Sequence, residues 1–153
     1  MRTSNGVKKM TAICLAVVFF VALDRFLKVY ALANFVKAQN LLGEILQFNF
    51  KANYYIAFSL PLYGIWLNVV ILLIVLLLIY YLARAWRGGQ WKTAACLFAI
   101  IMGAASNLFD RLRYGYVIDY LDLKYFTVFN LADIMIIASV ASLLLTLKSK
   151  NYE

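Results

Sequence analysis

No charged residue occurs between Lys51 and Arg84, and the run LYGIWLNVVILLIVLLLIYYLA fills most of that span. About 20 consecutive apolar residues carry a helix across the hydrocarbon core of a bilayer. A helix that is apolar all round has to be buried in protein or in lipid, so this one run restricts the chain to membrane architectures. Composition extends the restriction to the rest. The chain is 65% hydrophobic and 14% charged, with a mean hydropathy of +0.82, whereas soluble domains are roughly 45–50% apolar and about 25% charged.

Three further runs approach the same length. The four expected helices cover about 10–32, 61–83, 93–112 and 130–147. The first carries Asp24, Arg25 and Lys28 in its later part. The third is uncharged until Asp110, and the fourth is uncharged after Asp133. The first run also imitates a cleavable leader, with Arg2, Lys8 and Lys9 ahead of it and ALA at 31–33. Asp24, Arg25 and Lys28 between the apolar run and that site argue for a retained helix.

Lysine and arginine bias sets the orientation. Arg2, Lys8, Lys9, Arg84, Arg87, Lys92, Lys148 and Lys150 fall on one side, and Lys37, Lys51, Arg111, Arg113 and Lys124 on the other. Eight bases against five place both termini in the cytoplasm. On the outer side, Phe48, Phe50, Ala52 and Tyr54 alternate with Gln47, Asn49, Lys51 and Asn53, a period of two that predicts a strand. VIDYLDLKYFTVF is rich in β-branched and aromatic residues and predicts a second strand region. The expected fold is therefore an all-α membrane protein of one domain, residues 1–153, with a small extracytoplasmic β element at about 45–54 and 117–128.

Composition also excludes chemistries. The net charge of +8 is spread in short clusters beside apolar runs, which fits topology and not nucleic acid. The chain has no histidine, and Cys14 and Cys96 stand alone in apolar runs. No zinc site, no Ser-His or Cys-His nucleophile, no metal and no cofactor is expected.

Carboxylates remain. Asp110, Asp119, Asp122 and Asp133, four of the seven acidic residues, lie in NLFDRLRYGYVIDYLDLKYFTVFNLADIM at 107–135. By topology this stretch sits at the outer membrane boundary, and Asp24 and Lys28 sit at a similar depth. Asp24 and Lys28 are i, i+4, acid first; Asn107, Asp110 and Arg111 share one helix face; Asn130 and Asp133 open a helix. Two carboxyls close together cannot both ionise easily, so one keeps a proton. The ionised one can take a proton from water while the other polarises a carbonyl and protonates the leaving amine, which is peptide hydrolysis without a covalent intermediate. Asp119 and Asp133 are the natural pair. Each residue also has a plainer reading. Asp133 can cap its helix at N3 behind Asn130, and Asp119 can be a solvated strand residue. Asp122 is expected to be solvated. Asp24 with Lys28 can be a structural pair, and Asp110 with Arg111 an ordinary helix end.

At these residues the sequence resembles the lipoprotein signal peptidase (signal peptidase II) family of membrane aspartic proteases. Asp24 and Lys28 match its first-helix pair. NYYIAFS gives Asn53, Ala57 and Phe58; SNLFDRLRYGYVID gives Asn107, Asp110, Arg111, Gly115, Val117 and Asp119; FNLAD gives Phe129, Asn130, Ala132 and Asp133. The resemblance implies that Asp119 and Asp133 are a catalytic dyad. It implies that Asn53, Asn107, Arg111 and Asn130 position substrate or hold the dyad, and that Asp24, Lys28 and Asp110 shape the site. It implies lipid-modified prolipoprotein substrates, cut before a diacylglyceryl-cysteine at the outer face of the bacterial inner membrane. The enzyme would be a multi-pass monomer in contact with membrane lipid. Tyr55, Met102 and Ser106 stand at family glycine positions and bear on the substrate groove. A proton-coupled transporter and a structural membrane subunit are the competing readings. The first wants charges near the midplane and broken helices; the second gives Asp119 and Asp133 no reason to converge.

Overall fold

The structure, a computed structural model, describes residues 4–34, 38–54 and 64–150. Within them the chain forms α1 (Ser4–Ala33), β1 (Gln39–Leu42), β2 (Leu46–Asn53), α2 (Gly64–Arg87), α3 (Trp91–Tyr114), β3 (Val117–Leu123), β4 (Val128–Phe129) and α4 (Leu131–Lys150). Each helix runs past at least one expected boundary. Lysine and arginine are good helix formers, so the backbone continues through Lys8 and Lys9 in α1 and through Arg84 and Arg87 in α2. The Gly88-Gly89 pair ends α2; Gly89 takes a positive φ of 69°, and α3 begins two residues later, so the two helices run antiparallel.

α3 is the central element and packs against α1, α2 and α4. Half of its buried residues are small: Ala94, Ala95, Ala99, Gly103 and Ser106. Small residues let helix axes approach where lipid supplies no hydrophobic drive. At Gly103 the approach is closest, since a Cβ there would stand 2.8 Å from Ile136 Cγ1 and 2.9 Å from the Ala132 carbonyl oxygen of α4.

α1, α2 and α3 are long and apolar enough to cross a membrane, whereas the apolar part of α4, Leu131–Thr146, is shorter. Leu73, Leu76 and Leu77 on α2 and Leu144 and Leu145 on α4 are more than half exposed, a surface suited to lipid and not to water.

The four strands form one antiparallel sheet in the order β1-β2-β3-β4. β2 pairs with β3 from Leu46↔Leu123 to Asn53↔Val117, with a bulge between Phe48 and Lys51. The second expected strand region is split in two: β3, a turn holding Tyr125 at φ 69°, then the short β4. β1 has no signature in the sequence, because QNLL does not alternate and all four residues are exposed. Ile118 and Tyr120 of β3 are fully buried with Ala31 of α1, which fixes the sheet across the C-terminal end of α1. α3 ends at the left-handed Gly115, φ 83°, whose N–H donates to the Arg111 carbonyl at 3.0 Å. That turn feeds β3 back over the bundle. Tyr55, Ala57 and Phe58, together with Lys37 and residues 61–63 of the expected second helix, lie outside the described residues.

Candidate active site

The first turn of α4 has four backbone N–H groups without helical acceptors. Leu131 N donates to the Tyr120 hydroxyl at 3.1 Å, Ala132 N to Asp24 Oδ1 at 3.2 Å, and Asp133 N to Asn130 Oδ1 at 2.9 Å. Ile134 N reaches the Asn130 carbonyl at 3.3 Å. Asn130 N in turn donates to Asp133 Oδ2 at 3.2 Å, the reciprocal box expected of a cap and its N3 carboxylate. The capping reading of Asp133 is thus a structural fact, and it leaves the other carboxylate oxygen, Oδ1, for the Asn107 amide at 2.7 Å.

α1 supplies the charge. Lys28 is fully buried, and its Nζ lies 3.0 Å from Asp24 Oδ2, 2.8 Å from Asp110 Oδ2, 2.8 Å from Asn107 Oδ1 and 3.4 Å from Ser106 Oγ. An ammonium only donates, so it fixes the Asn107 amide with its oxygen toward Lys28 and its nitrogen toward Asp133. Ser106 Oγ donates to Asp24 Oδ2 at 2.7 Å. Arg25 pairs with Asp110 on the far side and lays its guanidinium over the Phe109 ring. Asp110 therefore turns inward to Lys28 and Arg25.

Asp119 enters from β3. Its Oδ1 accepts from Asn130 Nδ2 at 2.7 Å and its Oδ2 from Asn53 Nδ2 at 2.9 Å. Asn130 Nδ2 also reaches Asn107 Oδ1 at 3.1 Å. Two amides thus bridge the carboxyls, in the order Asp119, Asn130, Asn107, Asp133. The Arg111 guanidinium lies within electrostatic reach of Asp133, Asp119 and Asp110. Burial, and after it the Asp133 charge, raises the Asp119 carboxyl to about 7, against the lowering effect of the Asn53 and Asn130 amides and Lys28. Asp119 is 2% exposed, so it is no solvated strand residue. Asp122, expected in solvent, is only partly exposed and accepts from Asn49 Nδ2 at 3.0 Å, because strand pairing brings β2 alongside it. Among the described residues, no group of three or more Asp, Glu, Cys or His could hold a metal ion.

The structure thus brings Asp24, Lys28, Asn53, Asn107, Asp110, Asp119, Asn130 and Asp133 into one polar cluster, with Arg111 at its side. Three members have no forewarning in the spacing argument: Arg25, Ser106 and Tyr120. Arg25 stands beside Asp24 in sequence, but its partner is 85 positions away. Ser106, at a family glycine position, puts its hydroxyl into the cluster. Met102, at another, is partly buried on α3, and nothing in the structure gives it a role in the cluster.

Helices sealed at one end by a sheet, with a carboxylate cluster between the two, define a multi-pass membrane protein built around a polar site. The particular family follows from comparison: the chain belongs to the signal peptidase (SPase) II family, whose pattern matches residues 16–148. It is 35% identical over 144 residues to the lipoprotein signal peptidase of Streptococcus pyogenes serotype M1, covering 90% of this chain and 94% of that one. It is 40% identical over 78 residues to the lipoprotein signal peptidase of Halothermothrix orenii, covering 51% of each. In fold it is similar to two structures of bacterial membrane enzymes solved by the in meso method. Their TM-scores are 0.77 and 0.72 at 21% and 22% identity; the alignments cover 92% and 90% of this chain and 90% and 92% of theirs.

Proposed function

We propose that this protein is an aspartic endopeptidase that removes signal peptides from prolipoproteins, with Asp119 and Asp133 as its dyad. The observation that carries the reading is the amide bridge between two carboxyls on different elements, Asp119 on β3 and Asp133 on α4. Neither strand pairing nor helix capping requires the two to meet. Family membership supplies the reaction, and the raised Asp119 carboxyl supplies a group that keeps its proton near neutrality.

The chemistry needs no covalent intermediate. A water between the carboxyls loses a proton to the ionised aspartate as its oxygen attacks the scissile carbonyl carbon. The protonated aspartate gives its proton to the carbonyl oxygen, and the tetrahedral diol forms. On collapse the C–N bond breaks, the amine takes a proton from one carboxyl while a diol hydroxyl returns its proton to the pair, and the pair ends with one proton, as it began. Arg111 offers a positive charge to the developing oxyanion. Asn53, Asn107 and Asn130 hold the two carboxyls; Asp24, Lys28 and Asp110 hold those amides.

In this reading all four helices span a bacterial inner membrane as one domain. Both termini are cytoplasmic and the sheet lies on the outer face. The cut falls before a diacylglyceryl-cysteine. Every group named lies in one chain, so a monomer suffices, with membrane lipid and the prolipoprotein as its partners. The test is Asp119→Asn and Asp133→Asn, assayed on a diacylglyceryl prolipoprotein in detergent. Each should lower kcat/KM by at least about 1,000-fold, with the double variant no worse than either single, because the groups act as a unit. Asp122→Asn, outside the bridge, should keep most activity. Wild-type cleavage by either dyad variant would remove the assignment.

A further inference from the structure

Two elements carry the proposed dyad, and something must set the gap between them. Backbone pairing reaches only Leu121↔Phe129 between β3 and β4, and α4 begins two residues beyond Phe129. The amide bridge cannot set the gap alone, since Asn130 belongs to the α4 cap and moves with it. One side chain ties β3 directly to the α4 backbone and to α1. Tyr120, next to Asp119, is fully buried. Its hydroxyl donates to Asp24 Oδ1 at 3.0 Å and accepts from Leu131 N at 3.1 Å. The same Asp24 oxygen accepts from Ala132 N at 3.2 Å. Burial, and then the Asp24 charge, pushes the phenol well above its ordinary value, so it stays a neutral donor.

We infer that the Tyr120 hydroxyl is a positioning group of the Asp119–Asp133 pair, pinning β3 to the first turn of α4 through Leu131 N and Asp24. The inference rests on the dyad reading. The ring and the hydroxyl have separable duties. The ring packs against Phe48, with centroids 5.5 Å apart, and fills the space under the sheet. The hydroxyl alone reaches Asp24 and α4. Losing it leaves a part-buried N–H on Leu131 without its acceptor and takes one of four donors from Asp24. Of the three N–H groups from Leu131 to Asp133, only Ala132 N, on Asp24, and Asp133 N, on Asn130, then keep their acceptors. The carboxyls relax apart, their mutual repulsion weakens, and the proton they share comes off at lower pH.

Tyr120→Phe keeps the ring and removes only the hydroxyl. It should lower kcat by about ten-fold or more while KM changes little, since misplacement of reacting groups by about 1 Å can cost on the order of 100-fold. The descending high-pH limb of kcat should move to lower pH by about half a unit or more. Leu131→Pro reads the same bond from the other side, because proline is tolerated at the first helical position and lacks the N–H. It should move the limb in the same direction. The double variant should be no worse than the poorer single, as expected for two ends of one interaction. Wild-type kcat and pH profile in Tyr120→Phe, or fully additive losses in the double variant, would overturn the inference. Asp119→Asn assayed in parallel separates the layers. Activity there sinks the dyad itself, whereas an inactive Asp119→Asn beside an unperturbed Tyr120→Phe sinks only the positioning role.

Discussion

Asp119 exchanges water for two amide donors when the chain folds, and burial leaves its carboxyl near 7 in place of 3.8. The folded state therefore binds more protons than the unfolded state between those values. The stability that protonated Asp119 contributes is fully present below about pH 4 and is lost as pH rises through about 7. Asp119→Asn removes that loss, so the variant should be more thermostable than the parent at pH 8 and close to it at pH 4. The gain is on the order of a few kcal/mol at most, reduced because an asparagine amide cannot accept from both Asn53 and Asn130. Equal melting temperatures at pH 8 would mean that the carboxyl is not held in this environment. The same proton sets the rate: cleavage should fall as pH rises past about 7, where the pair has lost its acid. At this scale the sequence was informative wherever a residue's purpose could be stated by spacing along one element. Asp24 with Lys28, and Asn130 with Asp133, are such cases. Tyr120 was not legible, because strand alternation turns it away from Asp119, and nothing local says that the opposite face of β3 meets Asp24.

Gly103 shows what an element contributes. Its missing side chain lets α3 reach the Ala132 carbonyl, one residue before Asp133. A backbone oxygen cannot rotate aside as a side-chain tip can. Gly103→Ala must therefore push the first turn of α4 off α3, which overpacking places at about 1–3 kcal/mol of stability. The displaced turn carries Asp133, so kcat should drop by about ten-fold or more. A purified Gly103→Ala enzyme with parental melting temperature and kcat would show that the helices yield elsewhere. Helices were legible as apolar runs, and β2 as an alternation. Their ends were less so, because good helix formers carry the backbone beyond the apolar boundary. β1 was not legible at all: its four residues become a strand only because the turn at Gly43, φ 53°, folds them onto β2.

For the whole molecule the open quantity is direction. The proposed orientation rests on eight bases flanking one side against five on the other, an excess that marks the cytoplasmic face, and it would put the sheet and the cluster outside. Reporter domains fused after Lys51 and after Lys124 should both map to the outer face, and cytoplasmic signal from either would reverse the molecule and its site. The same reporters bear on the Asp24–Lys28 pair, 3.0 Å apart on successive turns of α1. During synthesis α1 leaves the ribosome long before α3 and α4 exist, so Asp110, Asn107 and the α4 cap are not yet there to receive its charges. A lone lysine or aspartate costs about 2.5–3.5 kcal/mol at the centre of an inserting helix and less toward its end, where Asp24 and Lys28 lie. Set four residues apart, the two offset each other's charge on the way into lipid, and Arg25 remains the one net charge of that stretch. A reporter fused after Asn34 should therefore map outside with both residues present and lose that placement in part with Asp24→Asn. The ion pair that later braces the finished site is first a passport for the nascent helix.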